Sequence, residues 1–148
     1  MKKRNLSATK RIHKFYIEKL NNPRIKKIYS EFEKNLGEYN SSKFCIAVSG
    51  GIDSMALAFL AKCHSIKTKQ THLYFTVDHK LRNTSTKEAR QTKKQLKKYG
   101  IVCDILTWRN NKSSSNLQAK AREKRYQLIF HKCLRNKVKL VLTAHQQN

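Results

Sequence analysis

Acidic residues are scarce in this chain: 9 Asp and Glu stand against 33 Lys and Arg over 148 residues, a formal charge of +24. The chain cannot neutralise itself with internal salt bridges, so a polyanion, nucleic acid first, is the expected partner. Cysteine pairs at metal-ligating spacing are also missing. Cys45, Cys63, Cys103 and Cys133 lie far apart and form no CxxC. Neither His131 with Cys133 nor Cys63 with His64 has a second pair at finger spacing, which argues against a zinc module and for reduced thiols. No apolar run reaches the length of a membrane span, and "MKKRNLSATKRIHKFYIEKL" lacks the apolar core of a secretory signal. A cytoplasmic chain with no membrane partner is the expectation.

What is present is unevenly placed. Lys80–Gly100 holds eight basic residues against Glu88 alone, and Arg109–Lys139 holds ten against Glu123 alone. Such one-sided stretches suit phosphate contacts better than internal pairing. Of the four glycines, two are adjacent, in "FCIAVSGGIDSMALAFL" from Phe44 to Leu60. There an apolar run breaks into Ser-Gly-Gly, places an aspartate two residues later, and turns apolar again.

Periodicity supplies the frame. Ile25, Ile28, Phe32 and Leu36 recur at helical spacing, which predicts a helix over Arg24–Leu36 after the break at Asn21-Asn22-Pro23. Strands are predicted at Phe44–Val48, Thr71–Val77, Ile101–Leu106 and Lys139–Thr143. Helices are predicted at Asp53–His64, Ser85–Tyr99 and Asn116–Leu134, the last after the Ser-rich loop "NNKSSS". Strands alternating with helices imply an α/β fold: a doubly wound parallel sheet, with ligands bound beyond the carboxyl ends of the strands.

Ser49-Gly50-Gly51-Ile52-Asp53-Ser54 therefore leaves the first strand and opens the first helix of the sheet. Two glycines let backbone N–H groups converge, the helix N-terminus adds partial positive charge, and Ser49 and Ser54 bring hydroxyls. The loop suits phosphate. It is neither GxxxxGK[ST] nor GxGxxG, so the two familiar nucleotide loops are excluded. A carboxylate beside bound phosphate needs a bridging cation, so Asp53 points to Mg²⁺; as a helix N-cap it would need none.

"SGGIDS" after a strand resembles the signature loop of the N-type ATP pyrophosphatases, the PP-loop proteins, whose members include thiouridine synthetases, GMP synthetase and argininosuccinate synthetase. Three further stretches are similar to the tRNA(Ile)-lysidine synthetase family: "FTVDHKLRNTSTKEAR" (Phe75–Arg90), "NLQAKAREKRYQLIF" (Asn116–Phe130) and "LVLTAHQQN" at the end of the chain. They match that family's V-D-H-x-L-R run followed by Ser and Glu-Ala, its A-R-x-x-R-Y helix, and its T-A-H-x-x-D-D segment. The resemblance implies an ATP-dependent ligase that adenylates the wobble cytidine of a tRNA(Ile) with a CAU anticodon and then joins free L-lysine to it.

By that resemblance Ser49, Gly50, Gly51, Ile52, Asp53 and Ser54 bind ATP phosphates, with Asp53 helping to hold the metal. Arg122 and Arg125 meet the departing pyrophosphate, Asp78 and His79 reach nucleotide or substrate from the second strand, and His145 acts from the fourth. Trp108 and Tyr126 are expected to pack rather than to stack on bases. Residues 1–39 would form a basic helical extension, and 40–148 the N-terminal portion of the ATP-binding domain. Where the family's segment runs on into its acidic pair, His145 is followed here by Gln146, Gln147 and Asn148. A fragment, a split-gene product or a decayed remnant is thus expected, inactive alone or completed by a second polypeptide, the missing C-terminal part or a homodimer. Two alternatives stay open: another tRNA-modifying ATP pyrophosphatase of thiouridine type, and an inactive basic RNA-binding remnant.

Overall fold

The computed structural model describes residues 2–39, 41–109 and 115–145. Helices α1 (Lys2–Leu20) and α2 (Pro23–Gly37) precede an alternating series: β1 (Cys45–Ala47), α3 (Ile52–Thr68), β2 (Leu73–Asp78), α4 (Ser85–Lys98), β3 (Asp104–Thr107), α5 (Leu117–Arg135) and β4 (Val141–Thr143). All strand pairs are parallel, in the order β3-β2-β1-β4. The α/β parallel sheet expected from the pattern is the one observed. The chain steps outward from β1 to β2 and β3, then returns to the other side of β1 for β4. That reversal opens a crevice at the carboxyl ends of β1 and β4.

Alternation along β1 divides the core. Phe44, Ile46 and Val48 face one side of the sheet, packing with Ala58 and Ala61 of α3 and Leu96 of α4. Cys45 faces the other side, with Phe75, Leu106 and, from α5, Ile129 and Cys133. All four cysteines are free and buried. The strands are shorter at one or both ends than the apolar runs predict, because runs such as Phe44–Val48 continue into buried positions beyond the ladder. Helix α3 runs one turn further than expected, to Thr68, whose hydroxyl donates to the His64 carbonyl (2.7 Å). Part of the predicted Ser-rich loop, and Gln146, Gln147 and Asn148, lie outside the described residues.

The N-terminal helices pack on the outer face of α3. Asn22 caps α2, its side-chain oxygen accepting from the N–H groups of Arg24 (3.0 Å) and Ile25 (3.4 Å), with Pro23 opening the first turn. Tyr16 of α1 stacks on Phe59 and donates from its hydroxyl to the Tyr99 carbonyl (2.8 Å). Lys67 of α3 pairs with Glu33 of α2 at 2.9 Å.

A buried histidine links α3 to β2. His72 lies on the Phe44 ring, centroids 3.7 Å apart, and its Nδ1 accepts from the Phe44 N–H (3.4 Å). Its Nε2 therefore carries the hydrogen and donates to Nδ1 of His64 (3.0 Å). Burial, with His64, Lys43 and Lys62 nearby, pushes His72 down to about 4. The unfolded chain, with an ordinary histidine near 6.5, binds the extra proton first as pH falls. Stability from this site is thus complete above about 6.5 and lost by about 4, a change of roughly 3 kcal/mol. Denaturant midpoints should fall across that window for the wild type. His72→Asn keeps an acceptor for the Phe44 N–H and cannot titrate, so it should flatten that fall; equal pH slopes would contradict the assignment.

Candidate functional site

The chain leaves β1 through Val48, whose N–H donates to the Phe75 carbonyl (2.8 Å), and turns at once. Gly50 takes φ +92°, a conformation that L side chains rarely adopt. A Cβ there would also meet Oγ1 of Thr92 on α4 at 2.5 Å. Gly50 is fixed both by its own backbone and by the helix beside it. Gly51 is different: it is extended (φ −70°, ψ 160°), serves as the N-cap of α3, and has only Ser49 Oγ within 3.5 Å of an added Cβ.

Ser54 ties the turn together. Its hydroxyl donates to the Gly51 carbonyl (2.9 Å) and accepts from the Ser49 N–H (3.2 Å) and the Ser49 hydroxyl (3.1 Å). The first helical bond runs from the Met55 N–H to the Gly51 carbonyl (3.0 Å), so the N–H groups of Ile52, Asp53 and Ser54 precede the helical ladder. Amides left outside the ladder at a helix N-terminus suit an anion. Asp53 is the second residue of α3, in its first turn, and is exposed.

Beside this turn lies a cavity of about 230 Å³, at the reversal of strand order. Its floor is the ends of β1 and β2; its far wall is Thr143–His145 and α5. Ser49, Ser54, His79, Arg125 and His145 all line it. The Arg125 guanidinium sits 5.3 Å from the Tyr126 ring centroid, and the His145 ring meets the same ring nearly edge-on at 6.2 Å. Tyr126, expected only to pack, contacts both Arg125 and His145 at the cavity wall and lines it itself. Trp108 is buried, as expected.

The other candidates are placed differently. Gly50 and Ile52 face a separate groove against Tyr16 and Tyr99, and Ile52 is 89% exposed. Arg122, one turn before Arg125, is exposed and does not reach the cavity. Asp78 is turned away from it. Its buried carboxylate accepts from the Lys80 N–H (3.0 Å) and the Thr86 hydroxyl (2.7 Å), anchoring the loop that leads into α4.

Two lining residues escaped the residue-by-residue reading, Arg82 and Glu88. They pair at 3.1 Å, and Thr84 also donates to Glu88 (2.9 Å), closing the cavity on the α4 side. Their signal was the stretch that includes Leu81-Arg82, Ser85 and Glu88-Ala89, where Ser85 and Ala89 line the same wall.

A PP-loop domain family model matches residues 21–148. The chain is 34% identical over 125 residues to the tRNA(Ile)-lysidine synthase of Rickettsia bellii (strain OSU 85-389), a match covering 82% of this chain and 29% of that protein. To the tRNA(Ile)-lysidine synthase of Anaplasma marginale (strain St. Maries) it is 36% identical over 109 residues, covering 73% and 23%. To that of Rickettsia rickettsii (strain Sheila Smith) it is 35% identical over 125 residues, covering 82% and 26%. The chain thus spans between 23% and 29% of the length of these relatives. With its glycine turn at the strand reversal and the match over most of its length, the chain belongs to the PP-loop domain family.

Proposed function

We propose that the chain is the nucleotide-binding part of a tRNA(Ile)-lysidine synthase. The carrying observation is one cavity in which the phosphate-suited turn, His79, Arg125 and His145 meet at the strand reversal. In this reading the C2 carbonyl oxygen of the wobble cytidine in a CAU anticodon attacks the α-phosphorus of ATP, and pyrophosphate leaves. The amine of free L-lysine then attacks C2, AMP leaves with the oxygen, and the amine nitrogen loses a proton. The product reads AUA instead of AUG. These substrates and the free, buried thiols support a cytoplasmic location.

The residues support distinct tasks. The amides opening α3 and the Ser49 hydroxyl receive phosphate oxygens. Arg125, oriented by Tyr126, stabilises the negative charge that develops on pyrophosphate. His145 and His79 lie on the rim where cytidine and lysine would enter, and each can hold or move a proton at an imidazole nitrogen. Among the described residues no cluster of three His, Cys, Asp or Glu side chains can hold a metal by itself. A single exposed carboxylate at the start of α3 nevertheless fits Mg²⁺, which takes one or two carboxylates together with substrate phosphates. Asp53 would hold the ion, which would neutralise phosphate charge.

The thiouridine alternative finds no activated thiol among the described residues. Burial pushes Cys63 and Cys103 up to about 12 and raises Cys45 and Cys133 as well. Strand β4 is an edge of the sheet with all three residues half-exposed, and Leu134 and Phe130 of α5 are exposed. These surfaces suit a partner that completes the sheet: the remainder of a longer chain, a second polypeptide or a second copy.

ATP titrations should separate the candidates. Arg125→Ala should weaken ATP binding in the presence of Mg²⁺ by about 10- to 100-fold, the loss of a hydrogen bond to a charged group, and Arg122→Ala by less than about threefold. Asp53→Ala should remove the Mg²⁺ dependence, and Asp104→Ala should leave it intact. Matching curves for wild type and Asp53→Ala would sink the metal assignment.

The two glycines make a second test. Gly50→Ala should lower both stability, by about 1–2 kcal/mol or more, and ATP affinity, since the backbone and Thr92 both oppose it. Gly51→Ala should leave the melting curve within a few degrees of wild type yet weaken ATP binding, because its Cβ lies beside the amides. If Gly51→Ala binds ATP normally, phosphate does not sit in this turn.

A further inference from the structure

Outside the cavity, the strongest unassigned feature is a basic groove along α4 and the β3 edge. Two adjoining hollows of about 530 and 380 Å³ share Thr86 and Arg90. Lys80, Arg90 and Arg109 line the first, and Lys87, Arg90 and Lys94 the second. The one acidic side chain in the groove, Asp78, is 2% exposed and already bonded to Thr86 and the Lys80 backbone. Lys87, Arg90, Lys94 and Arg109 form no salt bridge among the described residues. The groove is a row of five cations, and only Lys80 has an internal counter-charge, the Asp78 carboxylate at 4.0 Å.

Its geometry is held, not incidental. Lys80 takes φ +51°, unusual for a residue with a side chain and costing on the order of 1 kcal/mol. The Asp78 carboxylate stabilises that conformation through the Lys80 N–H and lies 4.0 Å from its Nζ. The buried acid thus fixes where one cation of the row begins. The same strand end supplies His79 to the cavity, so cavity and groove share one rim of the sheet.

We propose that this groove binds the sugar-phosphate backbone of the RNA substrate, independently of base sequence. The inference rests on the RNA-substrate reading above and names the surface that reading lacks. Lysine and arginine at successive positions of a groove neutralise phosphates and release counterions, which gives affinity and register without base readout.

Charge reversal provides the test. Lys87→Glu/Arg90→Glu/Arg109→Glu is compared with Lys26→Glu/Lys27→Glu/Lys34→Glu on α2, an equal change in net charge on exposed residues elsewhere. Probes are two tRNA transcripts, one with a CAU anticodon and one unrelated; near-ultraviolet circular dichroism reports folding. The groove variant should fold and lose at least about tenfold in affinity for both transcripts. Its log–log salt slope should flatten by about 2–3, the share of three phosphate contacts, while the α2 variant changes little. Equal losses in both variants, loss for one transcript only, or no RNA binding by wild type at low salt would each overturn the proposal. If the groove variant behaves as expected but no lysidine forms even with a completing polypeptide, the groove stands and the lysidine reading fails. If lysidine forms and groove reversal leaves affinity unchanged, the reverse holds.

Discussion

Where the chain leaves β1, Gly50 takes φ +92° beneath Thr92, and the Ser54 hydroxyl reaches back to Ser49 and Gly51. That turn sets the direction of α3, the aim of its first amides and the spacing between α3 and α4. Because β1 is hydrogen-bonded on both edges, to β2 and to β4, the turn cannot shift without dragging the centre of the sheet. The phosphate-suited cradle is therefore preorganised by the same contacts that hold the core. This is the condition under which backbone dipoles act strongly on developing charge.

Two kinds of positive charge then divide the work. Inside the cavity there is one oriented guanidinium, Arg125 on Tyr126, and one acid–base pair, Arg82 with Glu88, facing it across the site. Outside, the charge is repeated and unpaired along α4. The first arrangement suits a small, densely charged leaving group; the second suits a long, evenly charged chain. A composition of 33 basic residues against 9 acidic ones becomes intelligible once these two surfaces are separated.

Much of this was legible in the sequence. The alternation of strand and helix patterns gave the parallel sheet, and Ser-Gly-Gly at a strand-to-helix junction gave the cradle. Asp78 and His79 were both expected to face ligand, yet adjacent residues of an extended chain point to opposite sides, and only His79 lines the cavity. Arg122 and Arg125 share a helix face in projection. Which of them reaches the cavity depends on how α5 sits against β4 and on the Tyr126 ring, and both are tertiary facts. The His64–His72 pair joins residues whose only sequence signal is two histidines eight positions apart. Nothing local announces that one of them lies under Phe44.

The central claim is that nucleotide binds at the reversal of strand order, between the β1 turn and the end of β4. Amide chemical-shift mapping of the labelled chain with ATP and Mg²⁺ tests it most directly. The account predicts shifts concentrated at Ser49–Ser54, at Thr143–His145 and around Arg125–Tyr126, with Lys87–Lys94 nearly unmoved. Shifts centred on α4 and Arg109, or no shift in the Ser49–Ser54 turn at saturating ATP, would contradict it.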